Sequence, residues 1–188
     1  MPKIIRDLEK KIFNTSMELF LENGYEGVDM KMIAKKCSIA VGTLYNYYPN
    51  KKELYIAILN ESWNDTFKRF DKLKTLQLTP REKVEKAILM LYEDIEKRRG
   101  LGKELLNKNI KDLIEDARVS EFKKALIKNM EMSISCLEKK EAYKDDNSIN
   151  IRLAEILLVS IPILIESHRH EKEENIRFLN EMLDGFIL

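Results

Sequence analysis

Three helix-stop signals crowd into the first fifty residues, and they leave room for little but three helices joined by two tight connections. Asn23-Gly24 ends the first pattern, in which Leu8, Ile12, Leu19 and Phe20 share one side; Gly24 suits a left-handed C-terminal cap. Asp29 can cap a second helix holding Met32, Ile33 and Cys37, which Ser38 interrupts. A third starts near Ala40 or Val41 and runs to Tyr48, where Pro49 ends it. Asn50 then caps a fourth, with Glu53 three residues on, close to a capping box. Two short helices separated by a tight turn, after a longer one, outline a helix-turn-helix.

Beyond residue 50 the pattern is helical throughout. The fourth helix carries Leu54, Ile58, Trp63, Phe67 and Phe70 to about Lys74. Thr79-Pro80-Arg81-Glu82 is a helix start, with Thr as N-cap and Pro at the first helical position. Its helix buries Val84, Ile88, Leu91 and Ile95 and stops near Arg99-Gly100, and a sixth is expected from Lys103 to about Glu115. Ser120 is the expected cap of a seventh, with Phe122, Leu126, Met130, Ile134 and Leu137 inward. After the polar break Asp145-Asp146-Asn147-Ser148 comes an eighth helix, apolar nearly all round from Ile156 to Ile165. The last, about Glu173 to Phe186, sets Ile176, Leu179, Leu183 and Phe186 on one stripe. The expectation is an all-α chain of about nine helices. Residues 1–50 form a helix-turn-helix domain and residues 51–188 a helical-bundle domain.

A helix apolar on every side must be covered on every side, and in a domain this small a second subunit is the expected cover. Its apolar run, broken by Ser160 and Pro162, falls short of the ~20 residues needed to span a bilayer. The start of the chain lacks the apolar stretch of a signal peptide. Cys37 and Cys136 lie far apart and read as free thiols in a reducing, cytoplasmic setting.

Charge and hydroxyls concentrate in the first part of the chain. Residues 1–52 hold nine Lys and Arg against six Asp and Glu, although the whole chain nets only +1. Lys31, Lys35, Lys36, Lys51 and Lys52 fall in a stretch without a carboxylate, as a surface facing a polyanion requires. On the third helix Leu44 and Tyr48 share the inward face, which leaves Val41, Thr43, Tyr45, Asn46 and Tyr47 outward. Hydroxyls and ammonium groups bind phosphate oxygens, and a helix in the major groove reaches base edges. Gly42, without a side chain, lets the backbone come close to the groove.

These residues resemble a known family. Leu19-Phe20 with Asn23-Gly24-Tyr25, Ile33-Ala34, Gly42-Thr43-Leu44-Tyr45-Asn46-Tyr47-Tyr48, and then Lys51, Glu53 and Leu54 are similar to the DNA-binding domain of TetR-family transcriptional regulators. The resemblance covers about a quarter of the chain, from Ile12 to about Leu59. It implies that Val41, Gly42 and Thr43 face bases, and that Tyr45, Asn46, Tyr47 and Lys51 hold phosphates or edge bases. Tyr25 would brace the first helix. It also implies a homodimer formed by the last two helices, a double-stranded, pseudo-palindromic DNA operator as partner, and a small-molecule effector. Two positions depart from the family pattern: Ser38 stands where the turn usually has Gly, and Ala40 where a capping Ser or Thr is usual.

Trp63, Phe67, Tyr92 and Met130 are either ordinary core or the wall of a ligand pocket with Glu93 as its polar anchor. Leu157, Ile161, Ile165, Leu179 and Leu183 are the expected dimer residues. His168-Arg169-His170 reads as a solvated helix end, since residues two apart do not share a helical face, so no metal site is expected. Arg99-Gly100-Leu101-Gly102-Lys103 reads as a turn between helices, without the strand and full motif of a phosphate loop. No nucleophile is recognisably paired with a base, so neither an enzyme nor a cofactor is expected. The reading is a ligand-responsive repressor that binds DNA and releases it with a small amphipathic effector; its rival is a regulator of the same fold that binds protein instead.

Overall fold

Helix boundaries fall where chain chemistry puts them. The computed structural model describes residues 2–98, 101–102 and 110–188. Among these, the helices are α1 (Pro2–Asn23), α2 (Met30–Cys37), α3 (Val41–Tyr45), α4 (Lys51–Thr75), α5 (Pro80–Lys97), α6 (Lys111–Ile114), α7 (Ala117–Ser135), α8 (Ile149–Ser167) and α9 (Lys172–Asp184). A lone antiparallel bridge pairs Lys139 with Ile187. No described helix is long and apolar enough to cross a membrane.

The expected caps form. Asp29 Oδ1 accepts from Met32 N at 2.8 Å, and Asn50 Oδ1 accepts from Glu53 N at 2.9 Å. Thr79 and Glu82 close a full capping box on α5, with Pro80 at the first helical position. Gly24 takes a positive φ of 69° after α1.

Three boundaries differ from expectation. Helix α3 ends at Tyr45 rather than Tyr48, and Tyr47 and Tyr48 close a turn by donating to Leu44 O. Tyr48 precedes Pro49, whose ring excludes helical backbone there, and the last turn unwinds to meet it. Helix α7 begins three residues before Ser120, because Asp116 is the cap: its Oδ1 accepts from Arg118 N at 3.0 Å. The sixth helix was expected from Lys103; residues 103–109 lie outside the described residues, and the described part holds only the single turn α6.

The chain divides into two compact units, residues 1–63 with 101–120, and residues 64–100 with 121–188. The first therefore runs past the boundary expected at residue 50 and takes in α6. Its core is built on the inward faces of α1 to α4: Ile12, Phe20, Tyr25, Ile33, Ala34, Cys37, Leu44, Leu54 and Ile58 are all at most 2% exposed. Burying one such Leu or Ile contributes about 1.5–3 kcal/mol. In the second unit α5 packs on α8 and α9, which also pack on each other. The end of the chain is tied down there, with Leu188 N donating to Glu138 O and Lys140 N to Phe186 O, both at 3.0 Å.

Candidate nucleic-acid interface

The joint between α2 and α3 fixes how α3 is presented. Ser38 sits at φ 57°, ψ 44°, in the left-handed region, and its N–H caps α2 by donating to Ala34 O and Lys35 O. Ile39 N also donates to Ala34 O at 3.0 Å. This is the turn a glycine makes without strain, made here by serine. Ala40 takes the extended backbone of an N-cap (φ −66°, ψ 143°) but has no side chain to close α3.

From that joint α3 turns Leu44 fully into the core, as expected. Gly42 and Asn46 are exposed, Tyr45 is 48% exposed, and Val41, Thr43 and Tyr47 are half-buried. The six form one outward surface. Tyr48, expected as core, is only half-buried; that burial raises its hydroxyl above the ordinary tyrosine value, with Glu9 adding to it.

Two glycines in this unit contrast. A Cβ added at Gly27 would lie 2.3 Å from Asn23 O, so the fold requires glycine there. A Cβ added at Gly42 would meet nothing within 4 Å. Glycine inside a helix costs up to about 1 kcal/mol relative to Ala, and at position 42 no close contact among the described residues calls for it.

The basic face is smaller than its lysine count. Lys36 lies 3.5 Å from Glu18 and 3.8 Å from Glu22, and Lys52 lies 3.4 Å from Asp116. Lys51 Nζ donates to Tyr25 O at 2.9 Å and sits 4.2 Å above the Tyr25 ring. Half-buried, its ammonium is pre-positioned rather than freely mobile. Tyr25 braces α1 as expected: it is buried against Phe20 and Tyr55, and its hydroxyl donates to Asp112 Oδ2 at 2.9 Å. Burial and that hydrogen bond raise the Tyr25 hydroxyl well above its ordinary value. Lys31 and Lys35 are exposed and form no ion pair among the described residues.

Residues 12–58 match the family model described as bacterial regulatory proteins, tetR family. That matched stretch, about a quarter of the chain, is similar to the tetR family of bacterial regulatory proteins. The HTH-type transcriptional regulator YuxN of Bacillus subtilis is 36% identical over 91 residues, 48% of this chain and 31% of that protein. The HTH-type transcriptional repressor KstR of Mycobacterium tuberculosis is 32% identical over 75 residues, 40% of this chain and 34% of that protein. Each match thus spans about a third of the relative's length. Over almost the whole chain the fold is similar to that of AibR, solved with isovaleryl coenzyme A and operator DNA. The TM-score is 0.69 at 18% identity, covering 93% of this chain and 97% of that one.

Beyond the matched stretch, two expectations are corrected. Glu93 does not point inward: its side chain is 49% exposed and pairs with Lys172 at 2.9 Å. The buried carboxylate is its neighbour Asp94, 6% exposed. Asp94 Oδ2 accepts from Thr66 Oγ1 at 2.6 Å and from Arg69 Nη2, while Arg98 donates to Asp94 O and to Thr66 Oγ1, both at 2.8 Å. Burial pushes the Arg98 guanidinium below its ordinary value against the pull of Asp94. Tyr92 is fully buried, and its hydroxyl accepts from Asn175 Nδ2 at 2.9 Å. Trp63 and Met130 are buried, and Phe67 is half-buried edge-on to Phe122, their ring centres 5.7 Å apart.

The expected dimer residues are the second correction. Leu157, Ile161, Leu179 and Leu183 are fully buried within the single chain, and Ile165 is half-buried. The apolar surface α8 leaves open is its opposite side: Ile156, Val159 and Ile163 are 47%, 44% and 55% exposed, with Phe178 on α9 at 54%. A helix apolar all round gives no periodicity from which to choose its inner side.

Proposed function

We propose that this protein is a transcriptional repressor that binds a pseudo-palindromic operator as a homodimer and is released by a small acidic amphipathic effector. The observation that carries the reading is Gly42: an exposed, helix-weakening glycine in open space, at the centre of a surface of hydroxyls and an amide. Its lack of a side chain serves a partner that approaches α3 closely, as the floor of a major groove does. Val41, Gly42 and Thr43 meet base edges. Tyr45, Asn46, Tyr47 and the pre-positioned Lys51 meet phosphates, which set register without reading sequence. The repressor KstR, similar over the reading domain, and the AibR complex with a CoA thioester and operator DNA support the sign of regulation and the effector class.

The homodimer uses the open surface of Ile156, Val159, Ile163 and Phe178, a coherent apolar face that water otherwise covers. Two reading heads then meet half-sites about 34 Å apart, or a multiple of that. The effector binds in the helical unit that follows the reading head and stabilises a state with less affinity for DNA. Its power is limited by its differential affinity for the two states.

Gly42→Ala separates this reading from a purely internal role. The alanine finds open space and gains helix propensity, so the folded protein gains up to about 1 kcal/mol. DNA affinity, measured by fluorescence anisotropy with the fragment upstream of the gene, falls at least about tenfold. A variant that is more stable and binds that DNA undiminished removes α3 from the groove. One observation favours the rival reading, a protein-binding regulator: Lys36, Lys51 and Lys52 are all engaged within the chain. Binding to DNA with no dependence on salt, or none at all, would favour that rival.

A further inference from the structure

We propose that Arg69 and Arg98, with the Thr66 hydroxyl, form an anion-binding site that takes the carboxylate or phosphate of the effector, and that Asp94 is its built-in occupant. The inference rests on the proposed ligand-responsive function and assigns the polar end of its ligand site.

The donor set is concentrated and unusual in its setting. Asp94 is buried, 6% exposed. It lies on the stripe of α5 that otherwise carries Val84, Ala87 and Leu91, and Thr66 lies on the stripe of α4 that carries Phe70 and Leu73. Thr66 Oγ1 and Arg69 Nη2 donate to its carboxylate, and Arg98 Nη1 lies 3.6 Å from its Oδ1 while Nη2 donates to Thr66 Oγ1. A buried ion cluster is a poor device for stability, because apolar residues of similar volume usually do as well or better. A small set of convergent polar groups inside an apolar lining is what fixes the orientation of an amphipathic ligand.

The cluster is also open on one side. Arg69 is 37% exposed, and its second counter-ion, Asp65, is 78% exposed at 3.2 Å from Nε. That Nε is itself closed off from solvent and has no aligned hydrogen-bond acceptor. Exchanging a solvent-screened carboxylate such as Asp65 for a ligand's anion costs little. The incoming group gains a planar, charge-assisted donor fork.

The test uses matched twelve-carbon probes, dodecanoate, dodecyl phosphate and dodecanol, titrated by calorimetry into the full chain without DNA. A protein that fails to bind DNA can therefore still pass, and the two readings fail separately. The site predicts that at least one anion binds about tenfold or more tighter than the alcohol. The better anion shows whether carboxylate or phosphate is the native chemistry. Arg69→Gln, at a half-exposed position, lowers the anion-to-alcohol ratio about tenfold. Asp94→Asn, nearly isosteric, removes the built-in competitor and raises the same ratio. Reading a ratio guards against loss of fold, which would remove alcohol binding as well. Equal binding of alcohol and anions, no binding of either anion, or a ratio that Asp94→Asn leaves unchanged or lowers overturns the proposal.

Discussion

Replacing Ser38 by glycine tests the reading of the α2–α3 joint most directly. Ser38 is exposed and holds φ 57°, ψ 44°, among the described residues the one position other than glycine with positive φ. A residue with a Cβ pays roughly 1–2 kcal/mol for that conformation. Glycine does not, but it makes the unfolded chain more flexible, which gives back about 0.4–1 kcal/mol. The balance is a gain of about 0.5–1 kcal/mol. For a chain of this length a gain of that size raises the melting temperature by roughly 1–4 °C. Thermal unfolding followed by circular dichroism, with and without operator DNA, reads it. Ser38→Ala is the control, because alanine keeps the Cβ and should gain nothing. A melting temperature that is unchanged or lower in Ser38→Gly, or an equal rise in Ser38→Ala, would refute the claim that the left-handed backbone is the source of strain. It would place the energetic role of Ser38 in its hydroxyl instead.

Ala40→Thr should restore the missing N-cap of α3, adding about 1 kcal/mol to stability. It also supplies a hydroxyl beside the phosphates, so DNA affinity should rise in the same anisotropy assay. Arg118→Gln should flatten the acid limb of stability. Glu53 and Asp116 are both held below their ordinary values chiefly by the Arg118 hydrogen bond. Carboxylates depressed in the folded state stabilise it above their unfolded values of about 4 and lose that contribution as pH falls through the folded ones. Without Arg118 less is lost on going from neutral pH to about pH 2; urea midpoints across that range decide it. Ile163→Asp should dissociate the homodimer in sedimentation without unfolding the chain. Leu157→Asp should instead unfold the second unit, since Leu157 is fully buried within one subunit.

What the sequence made legible follows from how far apart the deciding groups lie. Asp29, Asn50 and Thr79 cap their helices by bonding a backbone N–H three residues on. Such contacts are written into adjacent residues, and so was the strained turn at Ser38. The engagement of Lys52 with Asp116 and of Tyr25 with Asp112 joins residues far apart in the chain. No local pattern announces either, and for that reason the inclusion of residues 101–120 in the first unit was not foreseen. The inner side of α8 was illegible for a different reason: apolar on all sides, it carries no phase. The Glu93 error is of a third kind, because the signal was present. Val84, Ala87, Leu91, Asp94 and Arg98 follow one another in steps of three and four, so the buried stripe of α5 runs straight through Asp94 and leaves Glu93 to solvent. A carboxylate on such a stripe cannot stay unpaired. The arginine four residues on and the Thr66 and Arg69 of α4 were the partners to look for, and they are the groups the structure brings together.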